Sequence, residues 1–132
     1  ELSVLLKYAQ SNPNNILTEM EYLDFDFGNP SEDLSNEDIE NLEFVLDTCQ
    51  NLKFLEISNL FNSTKCISDN NYKKIMGVII EHCQAQSIKI SPAIDSAHAK
   101  QVEWGATFFE LMEKSKTRKI SKIVDHNFDN ET

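Results

Sequence analysis

Asp24-Phe25-Asp26 places two carboxylates two residues apart on a segment whose apolar residues alternate, so both point to the same side of a strand. Such a pair can hold Mg²⁺ and serve hydrolysis or phosphoryl transfer. That chemistry wants a longer buried strand followed by Gly-Thr or a similar turn. Here Asp26 is followed by Phe27-Gly28, and the pair reads as acidic surface. His82, His98 and His126 lack metal-ligand spacing with any cysteine except the adjacent His82-Cys83, and one adjacent pair cannot complete a tetrahedral zinc site. Cys49 and Cys83 fall near the apolar ends of helical patterns and read as core residues, whereas Cys66 lies in a loop and is the expected exposed thiol. There is no Gly-x-Ser-x-Gly and no Gly-rich phosphate loop, and three glycines leave little room for one. The expectation is a chain that is not an enzyme, with no catalytic residue, metal or cofactor.

The bulk properties fit that reading. At 132 residues, with 40% apolar and 26% charged side chains, the chain suits one soluble globular domain. A net charge of −10 argues against nucleic acid or an anionic membrane as partner. No apolar run approaches the roughly 18–20 residues of a membrane span. Three cysteines without a CxxC exclude a fully paired disulfide framework and point to a reducing, cytoplasmic compartment. The start, Glu1-Leu2-Ser3, has neither an initiator Met nor a basic leader, which suggests a fragment or a processed chain. Charge is unevenly spread. Residues 1–70 carry 14 acids and 3 bases, while residues 71–132 carry 8 acids and 9 bases. The basic side chains concentrate at Lys114, Lys116, Arg118, Lys119 and Lys122.

Self-similarity organises the chain. Met20-Glu21-Tyr22-Leu23-Asp24-Phe25, Leu52-Lys53-Phe54-Leu55-Glu56-Ile57 and Ala85-Gln86-Ser87-Ile88-Lys89-Ile90 each hold apolar residues at positions 1, 4 and 6. Ile120-Ser121-Lys122-Ile123 is a weaker fourth copy. Between them, Leu34-Ser35 with Ile39, Leu42, Val45 and Leu46 recurs at an offset of 33 as Ile67-Ser68 with Tyr72, Ile75, Val78 and Ile79. Spacings of three and four mark amphipathic helices. Ser35, Ser68 and Asp95 are the expected N-caps, and Ser35-Asn36-Glu37-Asp38 is close to a capping box. The third helix is expected to bury Val102, Ala106, Phe109 and Met112, with Trp104 exposed on the outer layer or covering an end. Gly77 and Gly105 fall inside helices, where close approach to a neighbour would account for them. Residues 1–9 have helical spacing, residues 11–15 turn chemistry, and residues 129–132 are too polar for core. Strands joined through helices should be parallel, and each strand–helix unit must stack on its neighbours to bury both of its apolar faces.

The pattern L-x-x-L-x-L, as Leu52-x-x-Leu55-x-Ile57 and Met20-x-x-Leu23-x-Phe25, followed by a helix in a unit of about thirty residues, resembles the leucine-rich repeat family, ribonuclease-inhibitor-like class. The resemblance covers residues 20–128. It implies an α/β, right-handed solenoid with parallel strands on a concave face and helices on a convex face. Residues 1–132 then form a single domain, with 1–19 an N-terminal cap or partial repeat, 20–51, 52–84 and 85–119 repeats, and 120–132 a partial terminal repeat. Where the family places Asn or Cys after the strand, this chain has Gly28, Leu60, Ala93 and Phe128, with Asn29 and Asn59 displaced by one. The regular turn is therefore expected to differ.

The resemblance also implies a protein partner. Side chains between the framework positions point away from the core, namely Tyr22, Asp24 and Asp26, then Phe54, Glu56 and Ser58, then Ser87, Lys89 and Ser91, with Lys122 and Val124 beyond. Tyr22 beside Phe54 would form an aromatic pair, and Asp24 beside Glu56 an acidic row that changes sign at Lys89. Exposed aromatics ringed by charge make binding hot spots. The expected partner-binding set is Tyr22, Asp24, Asp26, Phe54, Glu56, Ser58 and Lys89. Residue usage with one Arg against 11 Lys also resembles leucine-rich-repeat effectors of intracellular bacterial pathogens, which implies a host protein as partner and delivery into a host cytosol. An alternative resemblance is to compact α/β regulators of the anti-sigma-factor-antagonist type, with Ser35 or Ser68 as a phosphorylatable helix-start serine. Strand order separates the two readings: sequential in the first, shuffled in the second.

Overall fold

The computed structural model describes residues 16–28, 30–91, 94 and 97–124. After a 3₁₀ turn at Ile16–Glu19, three strand–helix units follow, then a last strand. They are β1 (Tyr22–Asp26), α1 (Asn36–Thr48), β2 (Phe54–Ser58), α2 (Asp69–His82), β3 (Ser87–Ser91), α3 (Ala99–Lys114) and β4 (Lys122–Val124). The four strands form one parallel sheet in the order β1-β2-β3-β4. The fold is therefore α/β, with each strand beside the next one in sequence.

The alternation of branched and polar residues decides which way the sheet faces. Leu23, Phe25, Leu55, Ile57, Ile88 and Ile90 are buried, while the residues between them are not. The buried set joins Ile39, Leu42 and Leu46 of α1, Tyr72, Ile75 and Ile79 of α2, and Trp104, Phe108 and Met112 of α3 in a single core. Crossovers of one hand that always step the same way put every helix on the same side. The result is two layers: helices on one face of the sheet, and no described element on the other.

Local chemistry starts the first two helices where expected. Ser35 caps α1 by accepting from the Asp38 N–H at 3.1 Å, while the Asp38 carboxylate accepts from the Ser35 N–H at 2.9 Å. This is a complete capping box built with Asp in place of Glu. Ser68 caps α2 by accepting from the Asn71 N–H at 3.2 Å. Asp33 and Asn71 lash these two starts together. The Asp33 carboxylate accepts from the N–H groups of Leu34 (2.8 Å) and Ser68 (3.1 Å), and the Asn71 amide donates to the Leu34 carbonyl at 2.8 Å. At the far ends of the same helices, His82 sits between Glu43 (2.9 Å) and Asp47 (2.8 Å).

The third unit departs from expectation. Its helix begins at Ala99 with His98 at the N-cap and no side-chain cap bond. Asp95, the expected cap, lies outside the described residues. The helix buries Gln101, Trp104, Gly105, Phe108 and Met112. Relative to the expected stripe it is turned by about one residue, or 100°, so Val102 and Phe109 are 45% and 39% exposed, and Ala106 is exposed too. Trp104 is the physical reason. Its ring stacks on Tyr72 at 4.0 Å, its indole N–H donates to Asp69 at 2.8 Å, and the Tyr72 hydroxyl donates to the Trp104 carbonyl at 2.6 Å. Burying the largest side chain in the molecule, with its polar atom satisfied, outweighs burying Val102. Trp104 is thus core, not outer layer.

The turns after β1 and β2 use left-handed backbone at Gly28 (φ 59°) and Asn59 (φ 63°). Asn tolerates that region better than most residues with a side chain. The displaced Asn59 still bonds across the turns. Its N–H donates to the Ser91 carbonyl at 2.7 Å, and its amide donates to Asp26 at 2.7 Å. The helix glycines differ from each other. A Cβ on Gly105 would lie 2.4 Å from Ile94 Cδ1, whereas one on Gly77 would meet nothing within 4 Å, so close approach accounts for Gly105 alone. Residues 1–9, 11–15 and 129–132, whose helix, turn and polar tail were read from sequence, lie outside the described residues.

Two predictions follow from this packing. Gly77→Ala should raise stability by roughly 0.5–1 kcal/mol, since it relieves helix-interior glycine without a clash. Gly105→Ala should gain less, because the Ile94 methyl must swing aside. Thermal melts followed by circular dichroism rank the two. The second concerns Asp33. The Asn71 side chain, with the Ser68 and Leu34 N–H groups, holds its carboxyl down to about 2, from an ordinary 3.8. The ionised form therefore favours the folded state above pH 3.8, and that contribution is lost as pH falls toward 2. Asp33→Asn should lower the urea midpoint at pH 7, and the variant and the parent chain should converge near pH 2.

Candidate functional site: the helix-free face of the sheet

The alternation that fills the core also fixes what the opposite face presents. All seven side chains expected at a partner surface belong to the non-core set of their strands. Register brings them into rows. Tyr22 lies beside Phe54 and Ser87, Asp24 beside Glu56 and Lys89, and Asp26 beside Ser58 and Ser91. The Tyr22 and Phe54 rings stack at 5.3 Å with an interplanar angle of 7°, and Tyr22 is 51% exposed. The expected aromatic pair thus forms, as an open platform at the N-terminal end of β1 and β2.

Hydrogen bonds tie the platform to the acidic row. The Tyr22 hydroxyl donates to the Glu56 carboxylate, one strand over and one row along. Ser58 donates to Asp24 at 2.8 Å. Asp26 accepts from the Gly28 N–H at 2.8 Å and the Asn59 amide at 2.7 Å. These bonds perturb the groups in the direction that charge predicts. The bond to Glu56, then burial, then the charges of Glu56 and Asp24 push the Tyr22 phenol up to about 12. The Asn59 amide, followed by the Gly28 N–H, holds the Asp26 carboxyl below its usual 3.8. Three carboxylates here already take protein donors. They are oriented hydrogen-bond acceptors on this surface.

The other reactive candidates are placed differently. Cys49 and Cys83 are buried at the C-caps of α1 and α2, and burial pushes both thiols up to about 11, with the charge of Cys83 adding to the shift at Cys49. Thiols so raised are poor nucleophiles at neutral pH. Cys66 is half-buried, on an open cleft of about 410 Å³ shared with Asp33, Lys65, Ser68, Asp69 and Lys100. Asp69 is engaged there by Trp104 and by Lys100 at 3.0 Å. Both helix-start serines donate their backbone N–H to a carboxylate, Ser35 to Asp38 at 2.9 Å and Ser68 to Asp33 at 3.1 Å. No group of three or more His, Cys, Asp or Glu among the described residues is placed to hold a metal ion. No described helix is long and apolar enough to cross a membrane.

Sequence reasoning named the surface residues but missed two of their links. The Tyr22–Glu56 bond runs diagonally between strands, and only the pairing register reveals it. The second link is the Asn59 amide to Asp26; the signal for it is an Asn directly after a strand motif, whose side chain is suited to bonding turn groups. Comparison of the chain with family models, with curated proteins and with solved structures finds no match in any of the three.

If Glu56 holds the phenol proton, Glu56→Gln should bring Tyr22 back toward the ordinary value of 10. An ultraviolet titration of tyrosinate absorbance, with Tyr22→Phe to assign the signal, reads the shift.

Proposed function

We propose that this chain is a non-enzymatic recognition module, a leucine-rich-repeat-type solenoid that binds a protein partner through the helix-free face of its sheet. One observation carries the proposal. A parallel sheet with sequential strands and helices on one side only leaves an entire face open, and on that face Tyr22 and Phe54 are stacked and half-exposed. Rigid aromatics presented beside oriented charges are what protein interfaces use as anchors. The strand register also supports stacked units. Paired residues lie 32 apart between β1 and β2, 33 between β2 and β3, and 35 between β3 and β4, close to the periods of the sequence pattern.

In this reading Tyr22 and Phe54 are the anchors. Asp24, Asp26 and Glu56 form an acidic border that favours a partner with Lys or Arg beside an apolar or aromatic side chain. Ser58 orients Asp24, and Lys89 closes the acidic row on the β3 side. The three free thiols fit work in a reducing compartment such as a cytosol. A host protein would be the partner if the chain is an effector. The compact phosphoserine regulator is disfavoured by the sequential strand order. A phosphate on Ser35 or Ser68 would also sit against Asp38 or Asp33.

The test is a quantitative capture from cell extract with the parent chain, a Tyr22→Ala/Phe54→Ala double variant and an exposed α2 control, Lys74→Ala. A captured protein is then purified and its affinity measured. The double variant should weaken it at least roughly 30-fold while the control leaves it unchanged. If every captured protein binds the double variant as well as the parent, the surface is not used.

A further inference from the structure

Both ring nitrogens of His82 face a carboxylate of the neighbouring helix. Nε2 lies 2.9 Å from Glu43 Oε1, and Nδ1 lies 2.8 Å from Asp47 Oδ1. Glu43 and Asp47 stand i, i+4 on α1, so they share one side of that helix and reach His82 together. A neutral imidazole carries one N–H and one lone pair. It donates to one carboxylate and turns the lone pair toward the other. The imidazolium donates from both nitrogens and satisfies both carboxylates. The arrangement therefore suits the charged ring, and two further features act in the same direction. His82 is the last residue of α2, where the negative end of the helix dipole favours a cation. Among the described residues no lysine or arginine is paired with Glu43 or Asp47, so loss of the imidazolium charge leaves two like charges one turn apart.

The surroundings leave that grip to His82. Glu81, the preceding residue on α2, keeps its carboxylate on the α3 side, where it accepts from the Ser115 hydroxyl at 2.6 Å and from that of Thr117. Solvent protons reach the ring, since the His82 side chain is 32% exposed. The opposite ends of the same two helices are held differently. There Asp33 accepts from the Leu34 and Ser68 N–H groups and Asn71 donates to the Leu34 carbonyl. With the Asp33 carboxyl held down to about 2, these bonds do not change across the neutral range. Closure at the far ends rests on His82 and on the packing beneath it, which includes two thiols. Cys49 is the C-cap of α1, and Cys83, directly after His82, is the C-cap of α2. Both are buried.

We propose that His82 is a pH-sensitive latch between α1 and α2. With its ring charged, it closes the C-terminal ends of the two helices onto each other. When the ring gives up a proton to solvent, it releases one of its two carboxylates. Those ends then open more often about the fixed Asp33–Asn71 end and bring Cys49 and Cys83 into contact with water. Histidine ordinarily changes charge between about pH 5 and 8. The latch is thus closed on the acid side of that range and loosens as pH rises through it. The ion pairs are half-exposed, so the effect is modest and local. It alters how often one end of the helix pair opens, not whether the chain folds. The latch does not involve Tyr22 or Phe54, so it stands or falls apart from the recognition surface.

Alkylation of the full chain by iodoacetamide, read at each cysteine by mass spectrometry, measures this opening. Each rate is divided by that of the same cysteine in the urea-unfolded chain at the same pH, which removes the change in thiolate fraction. From about pH 5.5 to about pH 8.5 the normalised rates of Cys49 and Cys83 should rise about threefold. That of Cys66, in the loop before α2, should stay constant. His82→Gln, neutral throughout, should be labelled at both pH values as fast as the parent is at the higher one. Glu43→Gln should also flatten the step, because its amide can donate to the ring nitrogen that has lost its proton. That variant keeps the test in force if His82→Gln does not fold. A parent chain without the step, a step of equal size at Cys66, or an undiminished step in either folded variant overturns the proposal.

Discussion

Every other feature of this molecule depends on burial confined to one face of the sheet. Leu23, Phe25, Leu55, Ile57, Ile88 and Ile90 point into a single core, and all three helices supply its other wall. Each of these side chains contributes on the order of 1.5–3 kcal/mol when fully buried. A one-residue slip of any strand would turn its set outward, so the register is held tightly. The same register decides which polar side chains become neighbours on the opposite face. Tyr22 meets Phe54, and Asp24 meets Glu56, because Leu23 meets Leu55.

A second layer of order lies in bonds between successive units. Asp33 with Asn71 ties the starts of α1 and α2, and Asp69 with Trp104 and Lys100 joins α2 to α3. Glu81, near the end of α2, accepts from the hydroxyls of Ser115 and Thr117 beyond α3. Exposed ion pairs alone are worth little. The Asp33 and Trp104 contacts differ in that they satisfy backbone or indole N–H groups that helix starts and burial would otherwise leave unpaired. Helix spacing is thereby set along with strand spacing.

What could be read from sequence was whatever is decided within a few residues. Ser35 and Ser68 are N-caps because a short side-chain oxygen beside an amphipathic run bonds locally whatever the rest of the chain does. The open-face residues were legible because alternation along a strand is local as well. The orientation of α3 was not. It depends on Tyr72, 32 residues away, taking the indole of Trp104 at 4.0 Å, and no window on the third unit contains that partner. The start of this helix differs from the expected one as well: it begins at Ala99 with His98 at the N-cap. The Asn59 links to Asp26 and Ser91 likewise join segments that only the fold brings together.

The bond from the Tyr22 hydroxyl to Glu56 has a further thermodynamic meaning. An exposed tyrosine ordinarily samples several rotamers, and a ligand that captures it must freeze them, at roughly 0.5–1.5 kcal/mol for a rotamer-rich side chain. Here the ring is already held at both ends, by Phe54 beneath it and by the carboxylate at its tip. That loss of freedom has been incurred during folding. A molecule that lands on the platform meets a surface whose shape is set in advance, so its residence time reflects contact quality more than reordering of the tyrosine.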